Sequence, residues 1–399
     1  MVTPVMPSPV VRAAATMAAL PDQWQFWADT IVGSIPLGPL RTPHGFSCTM
    51  RLSGFGNGQL TLPMEPGALD AERLTRLWSY RVWCWYGDRV IWCGVPTGIA
   101  DDGSNYVTLT LTELTNYLSK RQWDIHPNRR YNQTEQTVIA RDIAQPVEDV
   151  GVVIATNPGP GFARDRLYEY LEGGSRAELL TNLANVIQGP EFRTEYDMTM
   201  QGRPRATLRV GYPRVGGPTG LVLGVPGNMT GYRAAWDADM LRTRTFAVGD
   251  LPEDADEGTP RPVAVVEVPQ PDLPRLDAAD DWPQTILLST LQERAHSNSV
   301  KYAAPSLDLS AQTGQAVPEL GTYSVGDDVT VRLVTPLLEE GLDVIGRLSE
   351  LTLSAGEGTA SWTVAIELPP PAVRPSLPQR LGRMDRTLQG IWRRRLAPV

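Results

Sequence analysis

Lysine and histidine are nearly absent from this 399-residue chain, and their scarcity removes several classes of catalytic site. Lys120 and Lys301 are the two lysines, and neither follows a glycine, so the sequence holds no Walker-type phosphate loop. The three histidines, His44, His126 and His296, lie far apart, and none forms the i,i+4 pair of a helical zinc site. These motifs of phosphate and metal chemistry are therefore missing.

Cysteine is equally rare, and long apolar runs are absent. Cys48, Cys84 and Cys93 form no C-x-x-C pair, and their odd number favours a reduced, buried state. No apolar run approaches the roughly 18 residues that span a membrane. Residues 1–20 are rich in alanine but lack the basic start and apolar centre of a signal peptide, so we interpret them as a flexible or docking arm.

Other catalytic motifs are missing as well. The sequence contains no G-x-S-x-G nucleophile elbow. Acidic clusters at 253–257 and 277–281 lie beside prolines, are predicted to be loops, and lack the spacing of an EF-hand. A pair of catalytic carboxylates, as in a glycosidase, stays an alternative, because two residues that are close in the fold can be far apart in the sequence. We predict a protein without catalytic residues, bound metal or cofactor.

The remaining composition is that of a folded, acidic protein. Hydrophobic residues make up 42%, and the 71 glycines and prolines are many for a globular chain but too few to indicate disorder. The length suits two to four domains. A net charge of −9 argues against a body that binds nucleic acid. Arginine supplies 34 of the 36 basic residues, a bias typical of a GC-rich genome.

Two segments share one pattern of alternating strands and glycine turns. Residues 320–368 contain a strand, a turn, a second strand interrupted by Gly346, an acidic glycine turn and a closing strand. The glycine that interrupts the second strand is called the step glycine. Residues 81–114 contain the same order with the step at Gly94. The step glycine precedes a Glu-Leu pair by 19 residues in the first copy and 21 in the second, so we align these pairs and attribute the offset to one slightly longer turn in the second copy. Short strands with glycine turns favour two similar small β-barrels, and chance likeness of two meanders is the alternative.

The predicted fold class is mainly β with α+β insertions: two similar small β-barrels, an α/β domain and a C-terminal amphipathic helix. Periodicity predicts helices over 134–143 and 175–187, the second with a Ser175–Glu178 capping box. Residues 21–27 are predicted to be a short helix or turn. The predicted segments are an arm (1–20), a first β-barrel hub domain (21–122), an α/β domain (123–213), a β segment with an acidic Pro-rich loop belonging to the second barrel region (214–275), a small helical insertion (276–319), a second β-barrel (320–368), and a Pro-rich linker with a basic amphipathic helix (369–399).

Tryptophan is concentrated in the first predicted barrel. Trp83 and Trp85 share one face of a strand because side chains alternate with period two, which indicates core packing. An exposed platform for an aromatic ligand is the alternative.

The C-terminal segment differs in charge from the rest of the chain. Residues 369–399 carry seven arginines and one aspartate, with apolar residues at heptad-like spacing after a proline linker. Gly382 and Gly390 each cost a helix about 1 kcal/mol, so a helix here needs a partner. Docking on an acidic protein surface is favoured; self-association, contact with DNA or membrane, and a solvated tail are the alternatives. The candidate docking residues are Arg380, Arg383, Arg386, Leu388, Trp392, Arg393, Arg394 and Arg395.

Several motifs resemble those of minor tail proteins from long-tailed (siphovirus) actinobacteriophages. Residues 56–63 (GNGQLTLP) and 89–96 (RVIWCGVP) are similar to the opening barrel of those chains. Residues 227–232 (GNMTGY) with 243–249 (TRTFAVG) are similar to their central segment. Residues 321–331 (GTYSVGDDVTV) resemble the Y-x-x-G-D-x-V-x-V strand that opens their second barrel.

This resemblance spans residues 21–368 and implies a structural tail hub, related in fold to the baseplate hubs of contractile-tailed phages. Such hubs are homotrimers with two barrels per chain, so that six barrels match a six-fold tail tube. The implied place is the virion tail tip, after synthesis in the host cytoplasm, with a part in host attachment and genome ejection. The implied partners are the distal tail protein, the tape measure protein and downstream tail-tip or receptor-binding proteins. DNA contacts the hub only in passage, and no stable membrane insertion is implied.

Two other functions stay open on sequence grounds. The Trp-rich first barrel suggests a cell-wall hydrolase or a carbohydrate-binding tail protein. A secreted adhesin fits less well, because no signal-peptide pattern is present and one cysteine is left over.

Overall fold

The computed structural model describes most of the chain. The described residues are 23–40, 43–63, 69–101, 106–125, 128–157, 162–171, 174–186, 188–251, 258–270, 273–282, 285, 287–303, 306–313, 320–335, 338–356 and 359–367. The predicted arm (1–20), the C-terminal helix and all eight candidate docking residues, from Arg380 to Arg395, lie outside this set.

Strands dominate the described residues. The strands are β1 Trp24–Thr30, β2 Pro36–Pro39, β3 Gly45–Arg51, β4 Asn57–Pro63, β5 Tyr80–Tyr86, β6 Arg89–Asp101, β7 Tyr106–Glu113, β8 Arg129–Glu135, β9 Val153–Asn157, β10 Ala163–Tyr168, β11 Glu191–Met198, β12 Pro204–Gly211, β13 Pro218–Val225, β14 Met229–Asp237, β15 Arg244–Val248, β16 Val263–Glu267, β17 Asp277–Asp281, β18 Ser306–Thr313, β19 Asp328–Thr335, β20 Leu338–Gly356 and β21 Thr359–Glu367. The helices are α1 Ala71–Thr75, α2 Gln136–Ala144, α3 Arg176–Ala184 and α4 Leu288–Lys301, with 3₁₀ helices at Leu114–Lys120 and Gln145–Val150.

The described residues divide into two compact units. The larger unit contains those up to Arg233 together with those in Leu309–Glu367. The smaller unit contains those in Ala234–Asp308.

Thirteen of the described strands form one continuous sheet. Its order is β14-β18-β21-β20-β3-β4-β7-β6-β5-β1-β2, and β13 joins it through β19, which pairs with β20. A mainly β fold is therefore confirmed. Two separate closed barrels are not found among the described strands, because β20 pairs with β3 on one edge while it pairs with β21 on the other. The strand edge that could pair within one half to close a barrel pairs with a strand of the other half instead.

The predicted repeat is confirmed in the strand order. The groups β5-β6-β7 and β19-β20-β21 are antiparallel meanders, and each middle strand pairs first with the preceding strand and then with the following one. Gly94 in β6 pairs with Val82, and Gly346 in β20 pairs with Val329. Both step glycines therefore occupy the same point of their meander.

A β-bulge marks each middle strand three residues beyond the step glycine, at Thr97 and at Ser349. The Thr97 hydroxyl donates to the Thr110 carbonyl at 3.3 Å. The Ser349 hydroxyl donates to the Ala365 carbonyl at 3.2 Å. The two bulges are thus equivalent in both position and hydrogen bonding.

The predicted alignment of the two Glu-Leu pairs is wrong by one position. Glu113 pairs with Gly94, whereas Glu367 pairs with Arg347, one residue beyond the second step glycine. The reason is that the second copy has three extra residues, not two, between the bulge and its cross-strand partner: Gly98 pairs with Thr110, and Glu350 with Ala365. Since side chains alternate along a strand, a one-residue shift moves a residue to the other face of the sheet.

An α/β layer packs against the first meander. In this layer β12 pairs antiparallel with β11 and parallel with β9. The predicted capping box starts α3: the Ser175 hydroxyl accepts from the Glu178 N–H at 3.3 Å, and a Glu178 carboxylate oxygen accepts from the Ser175 N–H at 2.8 Å. The apolar sides of α2 and α3 share one core with Trp83 and Trp85.

The tryptophans of the first meander are packing residues. Trp83 is 1% exposed and Trp85 is 7% exposed, and both belong to the core that the α/β layer covers. Trp92 is fully buried on the opposite face of the strands, against Phe46. The predicted core packing is confirmed, and none of these rings offers an exposed ligand platform. The predicted reduced cysteines are confirmed as well, since all three are buried and unpaired.

The predicted helix or turn over 21–27 is wrong, because strand β1 begins at Trp24. Trp24, Phe26 and Ala28 are buried with a period of two, and the whole strand pairs with β5. Trp24 and Trp27 lie three residues apart, a spacing that fits one helical turn equally well.

The smaller unit is a three-stranded sheet with one helix. Its strand order is β16-β15-β17, and α4 packs on one face through Leu291 and Ala295. Strand β17 is the acidic cluster 277–281, so the predicted loop is wrong here. Its charges are tolerated because Asp280 pairs with Arg242 at 2.7 Å and other carboxylates of the cluster reach further arginines.

Candidate assembly interface

The two halves of the larger unit meet along a seam between β20 and β3. These strands are antiparallel over seven residue pairs, from Glu350 with Arg51 to Gly356 with Gly45. One face of the seam is buried and apolar, and its pairs are Leu351 with Met50, Leu353 with Cys48 and Ala355 with Phe46. The other face is polar, and its pairs are Glu350 with Arg51 at 2.8 Å, Thr352 with Thr49 at 3.2 Å, and Ser354 with Ser47. The seam therefore continues the alternation of an ordinary half-buried sheet.

Strand β11 of the α/β layer bridges both halves, and its contact with the first half is a buried carboxyl group. Glu113 is 2% exposed. One of its oxygens accepts from the Tyr196 hydroxyl at 2.8 Å, and the other accepts from the Gly56 N–H at 3.0 Å. Burial raises the pKa of Glu113, and the hydrogen bonds from Gly56 and Tyr196 offset part of this rise.

The contact of β11 with the second half is an arginine network. Arg193 pairs with Asp327 at 2.9 Å and donates to the Val325 carbonyl at 2.7 Å. Asp327 also accepts from the Ser324 N–H at 2.9 Å, which holds the turn that leads into β19. A second ion pair joins Glu191 to Arg347 close to the seam. Strand β11 thus binds both repeats, through side chains on its two opposite faces.

A buried ion pair attaches the outer strands of the first half to the α/β layer. Arg81 donates two hydrogen bonds to Asp29, at 2.7 and 3.0 Å, and the Trp83 indole N–H donates to Asp29 at 3.1 Å. A further N–H of Arg81 donates to the Val150 carbonyl at 2.9 Å. Burial raises the pKa of Asp29, and the Arg81 hydrogen bonds and charge counter this rise. No sequence pattern indicates this pair, because its members are 52 residues apart.

A cavity of about 510 Å³ lies beside the seam. Its lining includes Met50 and Leu351 from the seam, Arg193 and Glu195 from β11, and Arg89 from the start of β6. Glu195 is paired with Arg193 at 2.8 Å. Within the part of the chain that the structure describes, no group of three His, Cys, Asp or Glu side chains is arranged to hold a metal ion. Nor does any described helix have the length and apolar character needed to cross a membrane.

Corresponding strands of the two repeats differ in whether another strand pairs with their outer edge. The orders β3-β4-β7-β6-β5 and β14-β18-β21-β20-β19 correspond, so β14 is the counterpart of β3, and β6 is the counterpart of β20. In the seam, β20 and β3 cover each other. Among the described strands, nothing covers β14 beyond its pairing with β18, and nothing but β7 pairs with β6 past Gly94.

The far end of the sheet is different. Strand β2 ends the order there, and its four residues include Pro36 and Pro39. Proline cannot donate a backbone hydrogen bond and is a common protection against unwanted strand pairing. The stretch 229–233 of β14 contains no proline, so its edge is not blocked in this way.

No family model and no curated protein matches this sequence. Solved structures do match its fold. A 43 kDa tail protein of prophage MuSo2 from Shewanella oneidensis aligns with a TM-score of 0.61 at 12% identity, covering 86% of this chain and 98% of the other. A tail protein from Neisseria meningitidis MC58 aligns with a TM-score of 0.57 at 14% identity, covering 86% and 96%. Prophage tail protein gp18 from Listeria monocytogenes EGD-e aligns with a TM-score of 0.50 at 10% identity, covering 92% and 99%. The chain therefore has the fold of phage tail proteins.

Proposed function

We propose that this protein is a structural hub of a phage tail tip, which assembles into a ring and has no catalytic role. The observation that carries the proposal is the internal repeat together with its seam. The likeness to prophage tail proteins over more than four-fifths of the chain supports the same reading.

A ring forms if the strand pairing that makes the seam within a chain also occurs between neighbouring chains. If β6 of one subunit pairs with β14 of the next, as β20 pairs with β3 within a chain, every repeat contacts its neighbour in the same way. An interface between two different surfaces of one chain generates a closed ring when the rotation closes. Both edges required for this contact lack a partner strand within the described residues.

Two repeats per chain also allow a change from six-fold to three-fold symmetry. A homotrimer built in this way presents six similar halves, which suit contact with a six-fold tail tube above and a three-fold tip below. In this proposal the ring lies between the distal tail protein and the downstream tip or receptor-binding proteins, around the tape measure protein. It takes part in attachment and lets the genome pass at ejection. A long-tailed phage of an actinobacterial host is the proposed source, as the sequence motifs suggest.

The basic C-terminal segment is proposed to be a docking element. Its seven arginines and one aspartate give residues 369–399 a net charge of +6 in a chain whose total is −9. Opposite charges of this kind steer association and set register more than they add affinity.

Light scattering on the purified protein tests the proposed function. A trimer, or a monomer that becomes a trimer when tail components are added, is the expected result for the full chain and for a chain that ends at residue 368. Sedimentation with host cell walls and a zymogram test the rival function in the same preparation. A stable monomer that sediments with walls, or one that clears them, would replace the hub with a wall-binding or wall-cleaving protein.

A further inference from the structure

Among its described residues, the smaller unit has one sheet face that a helix covers and one that no helix or strand covers. The covered face packs against α4, and its core consists of Ala247, Ala264, Leu291 and Ala295. The register of the sheet brings residues of three strands together on the opposite face. One row there is Val265, Phe246 and Ala279, and the next row includes Val263 and Val248. Val263 is 43% exposed and Val265 is 46% exposed.

This uncovered face, named here the Val265 face, is apolar at its centre and charged at its border. A third row consists of Glu267, Arg244 and Asp277, and the Arg244 guanidinium lies 4.7 Å from the Phe246 ring centre. β-Branched residues next to each other at this exposure indicate a surface that binds another segment, since scattered single residues are the norm on a free surface.

Charge indicates what kind of segment covers it. The sequence of the smaller unit, residues 234–308, contains 14 carboxylate side chains and six basic ones, a net charge of −8. Residues 369–399 have a net charge of +6 and carry apolar residues at helical spacing, including Leu381, Leu388 and Ile391. An amphipathic helix with arginines around an apolar stripe matches an acidic surface with an apolar centre.

The last described residues of the chain lie beside the strand that follows the smaller unit. Strand β21 ends at Glu367, and its Ile366 pairs with Leu309, the first residue of the larger unit after the smaller one. The C-terminal segment therefore starts beside the point where the chain leaves the smaller unit. Its proline-rich linker, residues 369–378, can span about 30 Å when extended.

We propose that the C-terminal segment of this chain binds the Val265 face through its apolar stripe, with its arginines among the carboxylates of the smaller unit. The proposal rests on the docking role given to this segment and not on ring formation. In this proposal the C-terminal segment binds a surface of its own chain.

Cysteine crosslinking tests this arrangement in the full chain, because the native cysteines are buried and do not compete. Val265→Cys combined with Leu388→Cys should form an intramolecular crosslink with a short bismaleimide. The matched control is Ile345→Cys with Leu388→Cys, since Ile345 is also an exposed β-branched strand residue, in the larger unit. The control pair should crosslink much less. Equal yields for the two pairs, or no crosslink in either, would overturn the proposal.

Charge reversal gives a second readout. Replacing Arg393, Arg394 and Arg395 by glutamate should lower the yield of the Val265–Leu388 crosslink roughly tenfold, because three attractions to carboxylates become repulsions. A crosslink between chains instead of within one would assign the face to the segment of a second copy. Hydrogen exchange adds a check on the occupant: amides of 263–267 should lose protection when the chain ends at residue 368. Protection that persists there means that something else covers the face, which refutes the proposal whatever the oligomeric state.

Discussion

Replacing Glu113 by glutamine should remove one component of the pH dependence of folding. The native carboxyl group is buried between Gly56 and Tyr196, and its pKa lies above the ordinary value of 4.5 because burial disfavours the charged form. In the unfolded chain the same group is solvated and ionises normally. Between the two pKa values the folded protein therefore holds a proton that the unfolded chain has lost.

The sign and size follow from this difference in bound protons. Unfolding releases the proton, so the free energy of unfolding falls as pH rises through the interval above 4.5, by up to about 1.4 kcal/mol per pH unit. Neighbouring groups do not add to this slope: burial raises the pKa values of Tyr196, Cys48 and Cys93, which stay neutral. Glutamine fits the site, since its carbonyl can accept from the Gly56 N–H and its amide can donate to the Tyr196 oxygen.

The assay is urea unfolding of both proteins over a pH series that starts near pH 4. Subtraction of the two curves cancels contributions common to both, including that of buried Asp29, whose pKa is also raised. The difference should change by the slope above over one interval and stay constant elsewhere. Parallel curves for wild type and Glu113→Gln would refute the assignment of a raised pKa to this carboxyl.

Other substitutions test packing, a buried charge and a helix cap by urea unfolding. Leu353→Ala removes a fully buried side chain from the seam and should cost about 2–5 kcal/mol, against about 0.5 kcal/mol or less for exposed Ile345→Ala. Equal losses would contradict a packed seam. Arg81→Met should cost about 3–5 kcal/mol because it leaves Asp29 buried without a counter-charge, and adding Asp29→Leu should recover part of the loss. Ser175→Ala should cost about 1 kcal/mol, and an unchanged stability would mean that the cap is dispensable.

Local elements were predictable where one physical signal dominated. The start of α3 could be predicted because the Ser175–Glu178 spacing satisfies two free N–H groups at one helix end. The repeat could be predicted because turns need glycine and half-buried strands need alternation, and both recur in the same order. The same signals misled at Trp24, where a spacing of three residues also fits a strand that is partly buried on both faces.

Contacts between distant residues could not be predicted. The seam joins positions about 300 residues apart, such as Arg51 and Glu350, and strand patterns do not specify which strand lies next to which. The bridging role of β11 depends on Tyr196 and Arg193, whose partners follow from the tertiary fold alone. The register of Glu367 depends on three extra residues between Glu350 and Ala365, which lengthen the strands and not the turn, a difference that alternation cannot detect. The acidic strand 277–281 forms because its carboxylates find arginines elsewhere in the smaller unit.

The most direct test of the ring is a disulfide between neighbouring subunits along the proposed second seam. Each chain would carry Ala100→Cys on β6 with Ala235→Cys on β14, the counterparts of Thr352 and Thr49 in the seam, or Ala100→Cys with Arg233→Cys to allow for a shift of two residues. Oxidation should give covalent monomer, dimer and trimer on a non-reducing gel and nothing larger, because a closed trimer has no free end. A series that stops at the dimer would indicate a two-fold contact, and one that continues beyond the trimer would indicate a different ring or an open filament. Either pattern, or no crosslink with both cysteine pairs, would contradict the three-fold hub.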